Sequence, residues 1–294
     1  GFSSAGIFFE QASDFLMYQS TFEKNAWGIT SMCRGNSGFV LECSFHSNYF
    51  GGIHTGGNAE MIVFDNDILG SGGEGLNFGG ACTIIAHNNI IRGSVYDNVH
   101  IGADATVALV KNQILDGYCY GITAYSQNPH TFIYRNQIFR NNFGGIKLND
   151  AFHGQILDNE VAYNLLTGIT LSHHTCALVA YNAVHDNLQN GIGVFSDQSM
   201  PIGHNHCHSN GAMGIMASQH AIPILARNLS ENNGLSGFYV VENRNCRFEQ
   251  NSSWGNKEFG VEIPYGERIQ DFFLCLKNAF GNIGSINYRE FGTR

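Results

Sequence analysis

A Gly-Ile-like pair recurs along this chain at intervals of 22 to 24 residues, and this repeat constrains the fold more than any other feature. A fixed period of this length is typical of solenoids, in which each repeat packs only against its two neighbours. We therefore expect one elongated array of similar coils. The hydrophobic member of the pair stands at Ile7, Ile29, Ile53, Leu76, Val99, Ile122, Ile146, Ile169, Ile192, Ile215, Phe238 and Val261.

Asparagine follows the same period at two further positions of the repeat. It tolerates the left-handed backbone of tight turns, and its side-chain amide can hydrogen-bond to a stacked copy of itself. Both series therefore predict structural ladders at turns. The longer series is Asn66, Asn89, Asn112, Asn136, Asn159, Asn182, Asn205, Asn228 and Asn251, with Gln19 and Cys43 in the equivalent places upstream. The second is Asn25, Asn48, Asn141, Asn164, Asn187, Asn210, Asn233 and Asn256.

Within each coil, three short segments alternate apolar and polar residues between glycine or asparagine turns, which is strand periodicity. Stacked coils pair each strand with its copies above and below, at about 4.8 Å per coil. We predict an all-β, right-handed parallel β-helix of about 12 coils of about 23 residues. The 294 residues are predicted to form one domain, with regular coils over about 1–270 and an irregular closing coil or cap over 271–294, because the repeat stops after Val261.

Charge and hydropathy exclude several classes of partner. The formal net charge is −9, and the chain lacks the clustered Lys and Arg with which proteins bind nucleic acids or anionic membranes. No apolar run of transmembrane length or signal peptide is visible, so the sequence predicts no membrane partner and leaves localisation open. It predicts no oligomeric state. No two of the eight cysteines are one coil apart, so they are expected to be small buried hydrophobes.

Polar and ionisable residues gather midway along the first segment of successive coils. The residue after each Gly-Ile position, and the one two further on, should point outward from the first sheet. Three consecutive coils then place their side chains about 5 Å apart along the rod. These two columns contain His54, Asn77, His100, Thr123 with Tyr125, Lys147 with Asn149, Thr170 with Ser172, Gly193 and Met216.

The coil that starts at Ile122 is one residue longer than its neighbours, in the turn after its first strand. That turn reads Tyr125-Ser126-Gln127-Asn128-Pro129-His130. Extra residues beside a polar groove are where repeat proteins often place function, although a longer surface turn is the simpler interpretation.

These residues resemble the mannuronan C5-epimerases and related β-helical alginate lyases, whose active coil has a Tyr-x-x-Asp-Pro-His pattern. Tyr125, Pro129 and His130 match it in spacing, whereas Asn128 stands in place of the aspartate. A further acidic position of the family falls on Asn149, with Asp150 one residue on. The resemblance implies an enzyme or binding protein for a uronate-containing polysaccharide. The resemblance and the polar columns together predict Tyr125, His130, Lys147 and Asn128 as catalytic residues, and His100, Thr123, Asn149 and Asp150 as substrate-binding residues.

Chemistry gives these residues distinct expected roles. Tyr125 and His130 would act as acid and base on the C5 proton of the uronate. Lys147 would neutralise the substrate carboxylate and stabilise an enolate-like intermediate. No cofactor or metal is predicted, and no clear calcium site supports the calcium requirement that is possible in such proteins.

Two other interpretations remain open. The repeated phrase from Asn136 to Ile146 also resembles the β-helical repeats of F-box-only ubiquitin-ligase subunits, which implies a scaffold for a protein partner. Pectate lyases and polygalacturonases share the architecture, but no cluster of aspartates appears on one face.

Histidines near the end of the chain raise the question of a metal site. His204, His206 and His208 alternate, so they are predicted to share one face, with His185 one coil earlier near His208. Because no carboxylate partner is evident for them, a solvent-facing polar strand is favoured over a metal site.

Overall fold

A computed structural model describes residues 5–32, 34–102, 104–125, 130–218, 220–241 and 246–262. Among these residues, the first eleven coils each contribute one strand to each of three sheets, and Val261–Glu262 adds a twelfth strand to the first sheet. All strand pairs within the sheets are parallel. The predicted all-β solenoid and its number of coils are confirmed. Within the described residues no helix is long and apolar enough to cross a membrane.

The three sheets follow one another in every coil. The first sheet comprises Ile7–Phe9, Trp27–Ser31, Gly51–Thr55, Glu74–Phe78, Val99–Ile101, Ile122–Ala124, Ile146–Leu148, Ile169–His173, Ile192–Ser196, Ile215–Ala217, Phe238–Val240 and Val261–Glu262. The second comprises Asp14–Tyr18, Ser37–Leu41, Glu60–Phe64, Thr83–His87, Thr106–Val110, Phe132–Tyr134, His153–Leu157, Cys176–Ala180, Ser199–Gly203, Ile222–Ala226 and Arg247–Glu249. The third comprises Thr21–Glu23, Ser44–His46, Asp67–Leu69, Ile90–Arg92, Gln113–Leu115, Gln137–Phe139, Glu160–Ala162, Ala183–His185, His206–His208, Leu229–Glu231 and Ser252–Trp254.

The hydrophobic member of each Gly-Ile pair lies in the core and stacks on its copies in the adjacent coils. Ile122 pairs with Val99 on one side and Ile146 on the other, and all three side chains are fully buried. The preceding glycine allows the coils to approach closely, since a Cβ atom on Gly121 would lie 2.8 Å from the Gly145 carbonyl oxygen of the next coil. The pair is therefore a packing requirement. Each coil below is named by its residue at this position.

Both asparagine ladders are confirmed. In the longer ladder, the Asn182 Nδ2 group donates to Asn205 Oδ1 at 2.9 Å and to the Ile156 carbonyl at 2.9 Å. Cys43 takes the predicted place upstream, where its backbone N–H donates to Asn66 Oδ1 at 2.8 Å. These bonds satisfy buried polar groups of the turn between the second and third sheets.

The extra residue of the Ile122 coil lies in the turn after its first strand, as predicted. Val99 pairs with Ile122, and Ala108 pairs with Phe132. The segment from Ile122 to Phe132 is therefore one residue longer than the segment from Val99 to Ala108. The predicted cap over 271–294 lies outside the described residues, so the division of the chain into regular coils and a cap remains a prediction.

Candidate functional site

The predicted outward column of the first sheet is present as a continuous row. Asn77 pairs with His100, His100 with Thr123, and Thr123 with Lys147. Consecutive members are one coil apart, or about 4.8 Å. We call this row, together with the polar side chains that flank it, the groove.

Tyr125 and His100 contact each other on this surface. Their ring centroids are 5.5 Å apart, with 42° between the ring planes. The Tyr125 backbone N–H donates to the Ile101 carbonyl at 2.9 Å, which anchors the residue at the end of its strand. The predicted catalytic tyrosine and substrate-binding histidine are thus brought together from adjacent coils.

Lys147 lies one coil beyond this pair, over an aromatic ring. Its Nζ atom is 5.0 Å from the centroid of Tyr120, a cation–π contact that orients the ammonium group while leaving its charge uncompensated. No ion pair of Lys147 occurs among the described residues. An ammonium group held in this way can pair with an incoming carboxylate.

The groove also contains a carboxylic acid that the sequence analysis missed. Asp97 is half-buried and accepts a hydrogen bond from the Tyr120 backbone N–H at 3.0 Å. Burial raises the pKa of Asp97, and the Thr123 hydroxyl, the Tyr120 N–H and His100 partly oppose this rise. Burial also raises the pKa of Tyr120, and the nearby Asp97 adds to that rise.

Asp97 could have been found by reading one more column of the repeat. It lies two residues before its Gly-Ile position, and Glu74 and Tyr120 occupy the same place in the adjacent coils. Glu74 raises the pKa of Asp97 by charge repulsion, which places the two carboxyl groups within electrostatic reach. In the sequence this acid precedes the first strand of its coil, whereas the extended turn follows the first strand of the next coil.

The remaining predicted residues are distributed around the groove. Thr123 and Asn149 are each only 3% exposed, so they belong to its floor. Asp150 is exposed, and its carboxylate lies 3.9 Å from the Nδ1 atom of His173. His130 is exposed on the turn that leads into Phe132–Tyr134. Asn128 and Pro129 lie outside the described residues, so the roles of the turn remain predictions.

The histidines of the third sheet differ from expectation in two respects. His206 and His208 share a face, but His204 lies in a turn with a φ of 55° and stacks on Tyr181 instead. The expected lack of carboxylate partners is wrong, since His206 Nε2 lies 2.9 Å from Glu231 Oε1. The repeat period places Glu231 beside His208 on the next coil, so extending the alignment by one coil could have shown this carboxylate.

His185 stacks on His208, as predicted, with 4.6 Å between the ring centroids and 4° between the planes. Nearly parallel imidazoles do not direct their nitrogen lone pairs at a common point. Over the described part of the chain, no group of three or more His, Cys, Asp or Glu residues is arranged to hold a metal ion.

With the fold and the groove described, the class of protein follows. The model of the family described as "right handed beta helix region" matches residues 1–138, 63–199 and 144–273, which together cover most of the chain. The chain belongs to this family. A comparison with curated protein sequences gives no match.

Solved structures with the same fold include two epimerases. The periplasmic alginate epimerase AlgG superposes with a TM-score of 0.67 at 16% identity, over 86% of this chain and 72% of that one. The A-module of the mannuronan C-5 epimerase AlgE6 from Azotobacter vinelandii superposes with a TM-score of 0.53 at 12% identity, over 86% and 81% of the two chains. At these identities the similarity establishes the shared fold.

Proposed function

We propose that this protein acts on or binds a uronate-containing polysaccharide in the groove. The observation that supports this most directly is the contact of His100 with Tyr125, one coil away from the uncompensated ammonium group of Lys147. A tyrosine and a histidine supply groups for proton transfer, and the lysine supplies a charge for a carboxylate. The fold shared with two alginate epimerases supports the same substrate class.

The proposed reaction begins with removal of the C5 proton of a uronate residue. The electron pair of the C5–H bond moves into the carboxyl group and forms an enolate-like anion, which Lys147 stabilises by its charge. Return of a proton to the opposite face inverts C5. Breakage of the bond between C4 and its oxygen instead gives a C4=C5 double bond, and the departing oxygen takes a proton.

Tyr125 and His130 are the proposed acid and base, and they flank the extended turn in the sequence. Asn128 at the position of the family's aspartate would bind through its amide and supply no charge. His100, Thr123, Asn149 and Asp150 are the proposed substrate-binding residues, and Asp97 is the carboxylate that the groove offers in place of the missing aspartate.

The test is incubation of the purified chain in deuterated water with polymannuronate, alginate and heteropolysaccharides that contain glucuronate. NMR follows deuterium incorporation at C5, and ultraviolet absorbance follows unsaturated ends. Deuterium exchange at C5 that is lost in His130→Ala and Tyr125→Phe supports an epimerase. Exchange accompanied by ultraviolet absorbance from unsaturated ends supports a lyase. Binding without either signal supports a binding protein with the same substrate class.

A row of exposed apolar residues favours a second candidate function, a scaffold for a protein partner. It follows the turn between the third and first sheets and includes Tyr118, Phe143, Leu165 and Leu188, the last of which is 65% exposed. Leucines on a surface suit protein contacts better than sugar contacts. Absence of binding to every uronate polymer, together with a purified partner whose binding is lost in Leu165→Ser/Leu188→Ser, would favour the scaffold.

A further inference from the structure

The two halves of the groove differ in charge and chemistry. Lys147 lies one coil beyond Tyr125 in the C-terminal direction. In the N-terminal direction, Asp97 lies one coil away and Glu74 two coils away, at about 4.8 Å per coil. Over the described residues, the three groove columns of the Ile29, Ile53, Leu76 and Val99 coils contain no lysine or arginine.

His54 does not offset the acidic character of this half. Its ring is half-buried in the Ile53 coil, and burial lowers its pKa, although Glu74 partly opposes the change. His54 is therefore neutral at neutral pH, since an ordinary histidine already titrates near 6.5. A uronate carboxylate placed beside Glu74 and Asp97 would meet two like charges without a compensating cation.

Aromatic rings occupy the end of the same half. Trp27 stacks on His54 with 4.6 Å between ring centroids and lies 6.0 Å from Phe50. Gly51 is required for this arrangement, because a Cβ atom there would lie 2.3 Å from Trp27 Cζ3. Phe50 remains 49% exposed, so the cluster presents an accessible apolar surface. We call Trp27, Phe50 and His54 the aromatic shelf.

This combination suits an uncharged sugar. Hydroxyl groups of a neutral sugar can donate charge-assisted hydrogen bonds to Glu74 and Asp97. Its C–H faces can pack against aromatic rings. The buried Thr30 hydroxyl, which lies between Phe8 and His54 in the groove column, has no hydrogen-bond partner among the described residues.

We infer that the groove takes a heteropolysaccharide, with a uronate at Tyr125 and Lys147 and neutral sugars over Asp97, Glu74 and the aromatic shelf. The inference rests on the proposed function and narrows it, because it disfavours a homopolymer of uronates. The net charge of −9 also disfavours a homopolymer of uronates, because the negatively charged protein repels a polyanion.

Three oligosaccharides of equal length test the inference by titration calorimetry at low ionic strength. They are a mannuronate homo-oligomer, an oligomer with a single glucuronate residue at one end and neutral glucose residues elsewhere, and a neutral gluco-oligomer. The single-uronate oligomer should bind at least about threefold more tightly than the homo-oligomer. Glu74→Gln should strengthen binding of the homo-oligomer about three- to tenfold and should not strengthen binding of the single-uronate oligomer. Glu60→Gln, an exposed change on the second sheet, is the matched control for net charge.

Tryptophan fluorescence reports the position of the ligand, because Trp27 and Trp254 are the two tryptophans of the chain. In Trp254→Phe, ligand should change the emission of Trp27. In Trp27→Phe, the remaining Trp254 lies on the third sheet and should not respond.

The outcomes separate the inference from the proposed function. Equal or tighter binding of the mannuronate homo-oligomer, with no gain in Glu74→Gln, overturns the inference and leaves the proposed function standing. Binding of the neutral oligomer alone, with a Trp27 response, supports the neutral-sugar half and overturns the uronate function. Absence of binding by all three overturns both.

Discussion

The ring of Tyr125 lies against the ring of His100, which comes from the preceding coil, with 5.5 Å between centroids. His100 lies in the middle of its strand, and Tyr125 directly follows the strand of the next coil. A ligand bound at this contact would touch both side chains, so we expect their substitution to affect the same step of the proposed reaction.

Tyr125→Phe is expected to lower C5 exchange about 100-fold or more, because it removes a hydroxyl proposed to transfer a proton. Deuterium incorporation by NMR is the measurement. The Tm should stay within about 2 °C, since the ring and its contact with His100 are retained. Tyr181→Phe, an exposed tyrosine stacked on His204, is the control and should keep full activity. Equal activity of the two variants would exclude Tyr125 from the reaction.

Binding of a uronate oligomer is expected to tighten as the pH falls through the raised pKa of Asp97. Above that pKa the carboxylate repels the ligand, and below it the neutral acid can donate a hydrogen bond. Calorimetric titrations over a pH series measure the effect. Asp97→Asn should bind as the wild type does at acidic pH and lose most of this pH dependence. An unchanged pH profile in Asp97→Asn would assign the titration to another group.

Asn182→Ala is expected to lower the free energy of unfolding by about 3–5 kcal/mol, because it leaves several buried ladder groups without partners. The Asn182 amide donates to Ile156 O and Asn205 Oδ1, and its oxygen accepts from Asn159. Urea denaturation measures the loss. Asn142→Ala, an exposed asparagine in a turn, should change the free energy of unfolding by less than about 0.5 kcal/mol. Similar values for the two variants would contradict a structural role of the ladder.

The histidine cluster of the third sheet should make the protein less stable in mild acid. Burial, then His185 and His206, lower the pKa of His208 in the folded protein. Protons therefore bind the unfolded chain more readily, and stability should fall as the pH drops below about 6.5 toward the folded pKa. His208→Gln should reduce this loss in a Tm series over pH, whereas His204→Gln should not. An equal acid dependence in both variants would exclude His208 as the source.

Much of the fold was predictable from local sequence because the same pattern repeats in each coil. Once the Gly-Ile pair fixes one coil against the next, alternation decides which side chains enter the core and which form the groove column. Ile122 and Ile146 were assigned to the core, and His100 and Lys147 to the outer row, on this basis.

Part of the candidate site could not be predicted from the sequence, because it depends on contacts between side chains in different columns of the repeat. Asp97 belongs to a column that has glycine or a neutral residue in most coils, so its proximity to Tyr120 and His100 was not evident. The cation–π contact of Lys147 likewise joins two columns.

The sequence by itself determined the solenoid, its coil length, both asparagine ladders and the position of the extended turn, since each follows from a period that local geometry imposes. Only the tertiary structure decided which neighbours meet across coils. Asn98 shows the difference: it reaches past Gly117 to Asn141 at 2.9 Å, bridging a coil that has glycine at this ladder position. Likewise, the left-handed backbone of His204 turned it away from His206 and onto Tyr181. Such contacts depend on side-chain reach and turn conformation, which the repeat period leaves free.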